Sequence, residues 1–380
     1  QAGIADQLSA ASGSTALNIA AATVSGFEVL DLGNSVALYN VTMTPTQLAQ
    51  FTGTNLIDGT DDVVTMSTTG TVTGQPVLLG YVLANGTAGN TFNANDSALS
   101  ISVTGGNANS IYNMGTRLDA GDTVTGTAGT ADVMNVTGTG TGAATITAIE
   151  TINFTTSTAA QTLTTGAIAL PAAGTITAAA STVGVTIDAS SLNLTTSGTI
   201  IDGPGADTIT VPSAAAERNL ATVTLSSGGA DKVVIANTAG AGTTNEVTIN
   251  NFTSGITAEA DNIDLKITNA ATELTSYQTV SALASAVPAE AAMIEIGSAV
   301  AAVTAFDAGD AGLVETAIAA ALGTFAPNTG EFAAIIYGAG AQAGNAAIYE
   351  VVTTANNADI ITGNITVELV GLVNGIAADS

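Results

Sequence analysis

Short runs of alternating apolar and polar residues recur through most of the first 270 positions. Val63-Val-Thr-Met66, Val185-Thr-Ile-Asp188 and Val247-Thr-Ile-Asn250 are examples. A period of two puts successive side chains on opposite faces of a strand, so each run predicts a half-buried β-strand. Strands are expected at 16–20, 24–32, 63–66, 99–103, 145–154, 174–178, 185–188, 207–211, 221–225, 231–235, 246–249 and 262–268. Clusters of Gly, Asn, Asp, Ser and Thr separate them, which is turn chemistry. Between 160 and 268 the runs return every roughly 10–14 residues, a spacing that suits a β-solenoid or a β-sandwich.

Two stretches break this rhythm with a helical one. Thr44-Pro-Thr-Gln-Leu-Ala-Gln-Phe51 offers a Thr cap and a Pro in the first turn. In 310–322, Asp310 caps the start, Leu313, Ala317, Ile318, Ala321 and Leu322 share a face, and Gly323 follows. A further helix is expected within 276–305. Strands are expected again at 332–337, 347–353 and 365–372. The fold class is therefore mainly β, a β-solenoid or β-sandwich-like arrangement with short helices, ending in a small mixed α/β module. The expected domains are an N-terminal β-rich one (1–145), a solenoid-like one (146–270), to which the strongest metal-ligating motifs below belong, and the C-terminal module (271–380).

Charge changes the picture. The chain has 31 acidic residues against 4 basic ones, a net charge of −27, and neither Cys nor His. Affinity for nucleic acid or an anionic membrane comes from clustered cations, so neither is an expected partner. Thiolate and imidazole chemistry, including zinc sites built on them, is excluded. The carboxylates have almost no protein cations to pair with, and divalent cations with a preference for oxygen are the simplest relief. Disorder, the other reading of so charged a chain, does not fit a hydrophobic content of 46%. No run of ~20 apolar residues suggests a membrane span. The first residues, Gln1-Ala-Gly-Ile-Ala5, lack the basic and apolar regions of a signal peptide, so either processing or a C-terminal export signal is expected.

The motif with most chemical content is Gly-Ala-Asp followed by alternating apolar residues. Asp202-Gly-Pro-Gly-Ala-Asp-Thr-Ile209 fits the nonapeptide pattern G-G-x-G-x-D-x-U-x with Asp202 in place of the first Gly. Ser227-Gly-Gly-Ala-Asp231-Lys-Val233 is a looser copy. Looser still are 129–134 around Asp132, 58–64 around Asp58 and Asp62, and 356–361 around Asp359. In this pattern glycines allow a tight turn, and the Asp and turn carbonyls such as those of Gly205 and Gly229 face a calcium ion (Ca2+). The candidate ligands are thus Asp202, Gly205, Asp207, Gly229, Asp231, Asp132, Asp58, Asp62 and Asp359. The copies are not adjacent, so a regular calcium roll over the whole chain is not expected. A second echo relates 24–32 to 146–154, each apolar-x-small-apolar-Glu-x-apolar-x-apolar. It places Glu28 and Glu150 alike, as outward strand residues, calcium ligands or subunit contacts. Asn-x-Thr sequons, including Asn135 and Asn153, arise by chance in so Thr-rich a chain.

These features together resemble the calcium-dependent bacterial S-layer proteins and RTX-type surface proteins exported by the type I route. The residues carrying the resemblance are Val185-Thr-Ile-Asp-Ala-Ser-Ser-Leu192, the two Glu motifs, Val247-Thr-Ile-Asn-Asn-Phe-Thr-Ser-Gly255 with Asp261-Asn-Ile-Asp-Leu265, and the tail segments 347–352 and 367–372. The resemblance implies an extracellular, cell-surface structural protein, a homo-oligomer in a lattice or filament, with cell-surface polysaccharide as a further partner. An adhesin or glycan-binding module shares the composition. A calcium-dependent polysaccharide-active enzyme needs a cation beside the calcium; Lys232 and Arg218 read better as charge partners, and no enzymatic activity is expected.

Overall fold

A computed structural model describes residues 7–9, 16–27, 29–31, 40–51, 63–74, 80–94, 100–116, 118–127, 129–137, 139–155, 159–236, 246–253, 260–266, 277–280, 293–296, 302–306, 312–322, 331–353 and 365–376. It has two compact units, Gln1–Ala180 and Ser181–Ser380. Both contain β-solenoid coils of parallel strands rather than a sandwich, and the second adds a mixed sheet with a helix.

In the first unit the chain alternates between two parallel sheets. One holds Ala16–Asn18, Asn40–Met43, Val63–Met66, Gly80–Val82, Ser102–Thr104, Thr123–Thr125, Thr139–Thr147 and Gln161–Leu170. The other holds Thr71–Thr73, Thr91–Asn93, Ile111–Gly115, Val133–Val136, Thr151–Phe154 and Thr175–Thr177. Strand register stacks like on like. Val64, Tyr81, Val103, Val124, Ile146 and Ile168 form one buried column. Val72, Phe92, Tyr112, Met134, Ile152 and Ile176 form the facing one. Each side chain so buried stabilises the coil by about 1.5–3 kcal/mol. The Tyr81 and Phe92 rings meet inside, 4.9 Å between centres.

In the second unit Val185–Asp188, Thr208–Thr210, Lys232–Ala236 and Asn262–Lys266 are parallel neighbours. Gly198–Ile201, Ala221–Thr224 and Val247–Asn250 form the other face. Ile365–Asn374 adds to that face beside Val247–Asn250. It is followed outward by the antiparallel strands Asn345–Thr353 and Glu331–Gly338 and by the parallel Met293–Ile296 and Tyr277–Val280. Helix Leu313–Leu322 covers this mixed sheet, burying Val314, Ile318, Ala321 and Leu322 against Phe332, Ile336, Tyr349 and Leu369.

Three local expectations need correction. The segment 145–154 is not one strand: the backbone turns at Ala148 (φ 53°) and sends Thr139–Thr147 and Thr151–Phe154 to different sheets. The described elements of 276–305, Tyr277–Val280, Met293–Ile296 and Ala302–Val303, are strands rather than helix, in keeping with their aromatic and β-branched residues; the alanine-rich stretches 281–292 and 297–301 lie outside the described residues. In 24–32 the described strand is only Val29–Asp31. The short helix Pro45–Leu48 forms as its signals predict, with Thr44 and Gln47 completing a reciprocal capping box.

Candidate metal centre

The turns between strands share a chemical device. A carboxylate at the start of one strand accepts a backbone N–H from the equivalent place one coil earlier. Asp122 Oδ1 accepts from Ile101 N (2.8 Å) and Oδ2 from Asp119 N (2.9 Å). Asp132 accepts from Ser110 N (2.5 Å), 22 residues back, and from Thr127 N (3.3 Å). Glu150 in turn accepts from Asp132 N (2.6 Å). In the second unit Asp207 accepts from Val185 N, Asp231 from Asp207 N, and Asp261 from Asp231 N, at 2.5, 2.9 and 3.1 Å. The resulting staircase satisfies N–H groups that the tight corners leave without a ladder partner.

Along this staircase Asp202, Asp207 and Asp231 converge. Asp202 ends the strand Gly198–Ile201, and Asp207 opens Thr208–Thr210 after the turn. Register places Lys232 beside Thr208, and so Asp231 beside Asp207. Each of the three offers a carboxylate oxygen within 4.8 Å of the others, and all are 0–1% exposed. Asp207 uses both oxygens on the chain, taking Val185 N and Gly203 N (2.8 Å). Asp202 Oδ1 accepts from Ser226 N (2.5 Å), yet Asp202 Oδ2 and Asp231 Oδ2 are buried with no hydrogen-bond partner.

Glycine makes this packing possible. A Cβ on Gly205 would lie 2.5 Å from the Val183 carbonyl carbon, and one on Gly229 would run into the Gly205 carbonyl; Gly229 also holds φ at +93°. The two glycines thus set the turn spacing that brings the three Asp together.

Electrostatics disfavour the ionised form of all three carboxyls. Burial pushes the Asp202 carboxyl up to about 8, with the neighbouring Asp231 adding to the effect. Burial raises Asp207 to about 6 despite its two N–H donors, and raises Asp231 as well. Lys232, next to Asp231 in sequence, turns outward to Asp264 (2.7 Å). Arg218 is buried elsewhere, donating to the Ser213 carbonyl (3.2 Å) in the field of Glu368 and Glu350. Two facing carboxylates in such a place can be relieved in two ways: they share a proton, or they bind a cation. An all-oxygen donor set of this kind could hold a hard metal ion.

The remaining candidates are placed differently. Asp132 is buried in the first unit, apart from this trio, with both oxygens taking N–H groups and Gly126 and Gly129 packed closely on it. Glu150 sits at a corner rather than mid-strand and serves Asp132. Asp58, Asp62, Asp359 and Glu28 lie outside the described residues. Sequence reasoning did not single out Asp122 or Asp261 as turn-capping carboxylates. Their signal is an Asp just ahead of a strand, about one coil after a matching turn. The sequons at Asn135 and Asn153 fall on residues whose amide nitrogens already bond to Asn113 and Asn135 (2.8 and 3.2 Å).

Among the described residues no helix is long and apolar enough to cross a membrane. No family model, curated protein or solved structure matches the chain.

Proposed function

We propose that this chain is a calcium-stabilised structural protein of the bacterial cell surface, a self-assembling subunit of an S-layer lattice or surface filament. The observation that carries the reading is the buried Asp202–Asp207–Asp231 cluster with two unpartnered oxygens, in a chain of net charge −27. The three carboxylates and neighbouring turn carbonyls would hold the ion. The ion would offset two of the three carboxylate charges and tie two successive turns. Calcium's role here is structural: the carboxylates' other contacts are backbone N–H groups of the fold itself.

The test is particle size by light scattering as calcium is returned to EGTA-stripped protein, with magnesium as control. Calcium alone should drive growth of large particles, and Asp207→Ala should abolish both high-affinity calcium binding and growth. A chain that binds calcium but stays monomeric would point instead to an adhesin or other binding module. Unchanged affinity in Asp207→Ala would remove the metal centre itself.

A further inference from the structure

The second sheet of the unit Gln1–Ala180 turns outward a face whose described positions carry no charge. Among the described residues its outward positions are Thr, Asn, Ile, Val and Gly only. That is notable in a chain with 31 acids; Asp132 and Glu150, which directly precede two of its strands, lie at corners, where both Asp132 oxygens and Glu150 Oε2 accept backbone N–H groups. At its centre Ile111 is 42% exposed, one of two large apolar side chains so exposed among the described residues, and the partly exposed Val133 is its register partner. Beside them runs an asparagine ladder. Asn113 donates to Asn93 (2.7 Å), Asn135 to Asn113 and Asn153 to Asn135.

We infer that this face is the contact through which a second copy of the chain docks, identical face to identical face; the inference rests on the self-assembly proposed above. Three observations converge on it. Two copies of so acidic a protein repel unless they meet where neither carries charge. The ladder satisfies much of the amide hydrogen bonding within the face, so removing water from it forfeits little. The face repeats at the strand spacing, which makes it commensurate with its own image, as a two-fold contact requires. The opposite face is also uncharged at its described outward positions and likewise rich in hydroxyls, with Ser102, Thr104, Thr123, Thr125, Thr145 and Thr147 stacked in register, but among the described residues it carries no large apolar side chain as exposed as Ile111. The contact is small, roughly 24 Å across five strand spacings of ~4.8 Å. It therefore acts through repetition across an assembly rather than as an isolated stable dimer.

The experiment is sedimentation velocity of the full chain in calcium over a range of protein concentrations. Ile111→Asp should raise the concentration at which particles form by about tenfold or more, the shift for 1.4 kcal/mol. Calcium affinity, measured separately by titration calorimetry, should not change. Ile111→Lys alone should behave likewise, and an equimolar mixture of the Asp and Lys variants should recover assembly. Thr125→Asp on the opposite face should leave the onset within about twofold. Assembly of Ile111→Asp at wild-type concentrations would overturn this face and leave the self-assembly reading standing. So would an equal loss in Thr125→Asp, or no recovery in the mixture. A wild-type chain that binds calcium and stays monomeric at all concentrations would overturn both.

Discussion

At the scale of single residues, Asp202 and Asp231 decide most of the chemistry. Without a cation, their facing oxygens are relieved by a proton, so Asn at position 231 should imitate that state. The amide oxygen can still accept from Asp207 N, and the amide nitrogen can donate to Asp202. Asp231→Asn is therefore expected to raise the melting temperature of EGTA-treated protein at pH 8 and to erase the further rise that calcium gives the wild type. Differential scanning calorimetry with and without calcium reads both effects. The same carboxyls give a pH dependence of definite sign. Their pKa values are raised in the fold above the unfolded value of 3.8, to about 6 for Asp207 and about 8 for Asp202. The folded apo protein thus binds more protons than the unfolded chain. Its stability from these groups is full below about pH 4 and is lost as pH climbs through 6 to 8. Calcium needs the ionised form, so its affinity should rise over the same interval. Urea titrations of apo protein at pH 5 and pH 8, beside calcium titrations at both, would show opposite trends.

At the scale of elements, the corner carboxylates matter as much as the strands they introduce. Asp122→Ala would leave the buried Ile101 N–H without an acceptor, and is expected to cost about 1–3 kcal/mol in chemical denaturation. Asp122→Asn, which keeps an acceptor oxygen, should lose clearly less. This layer of the fold was only partly legible beforehand. Alternation marked strands such as Val185–Asp188 and Ala221–Thr224 because each has one face against a core, and the period of two is direct evidence of that. Corners are harder: 146–154 alternates smoothly across Ala148, and only a left-handed backbone angle divides it. The Thr-x-Thr pairs likewise look irregular along the chain, since the hydrogen-bonded steps between coils vary, from 18 residues in Asp132–Glu150 through 24 in Asp207–Asp231 to 30 in Asp231–Asp261. In space Thr123 and Thr125 lie directly against Thr145 and Thr147. The Gly-x-Asp motif did indicate Asp202, Asp207 and Asp231. That Asp132, with a similar local sequence, joins no such group of carboxylates among the described residues depends on the neighbouring coils, which a local motif does not encode.

At the scale of the whole molecule, a stack in which each coil meets only its neighbours spreads stabilisation locally. Calcium should therefore slow amide exchange most around Val185, Gly203, Asp207 and Ser226, and leave Ile101 and Ser110 nearly unaffected; hydrogen–deuterium exchange of the intact chain with peptide resolution would show the contrast. Loss of calcium protection around Asp207, or equal protection in both units, would contradict a centre confined to these turns. The staircase has a further consequence, for how such a gene can change. Each acid belongs to one coil but completes the previous one, so the unit of inheritance is a full circuit that brings its own acid along. Duplicating or excising the stretch between two matching acids keeps every outward face outward and every turn served. Losing half a circuit exchanges the two sheets and strands an N–H at the break. Length changes in the lineage of this protein should accordingly come in whole circuits, with smaller insertions confined to the corners.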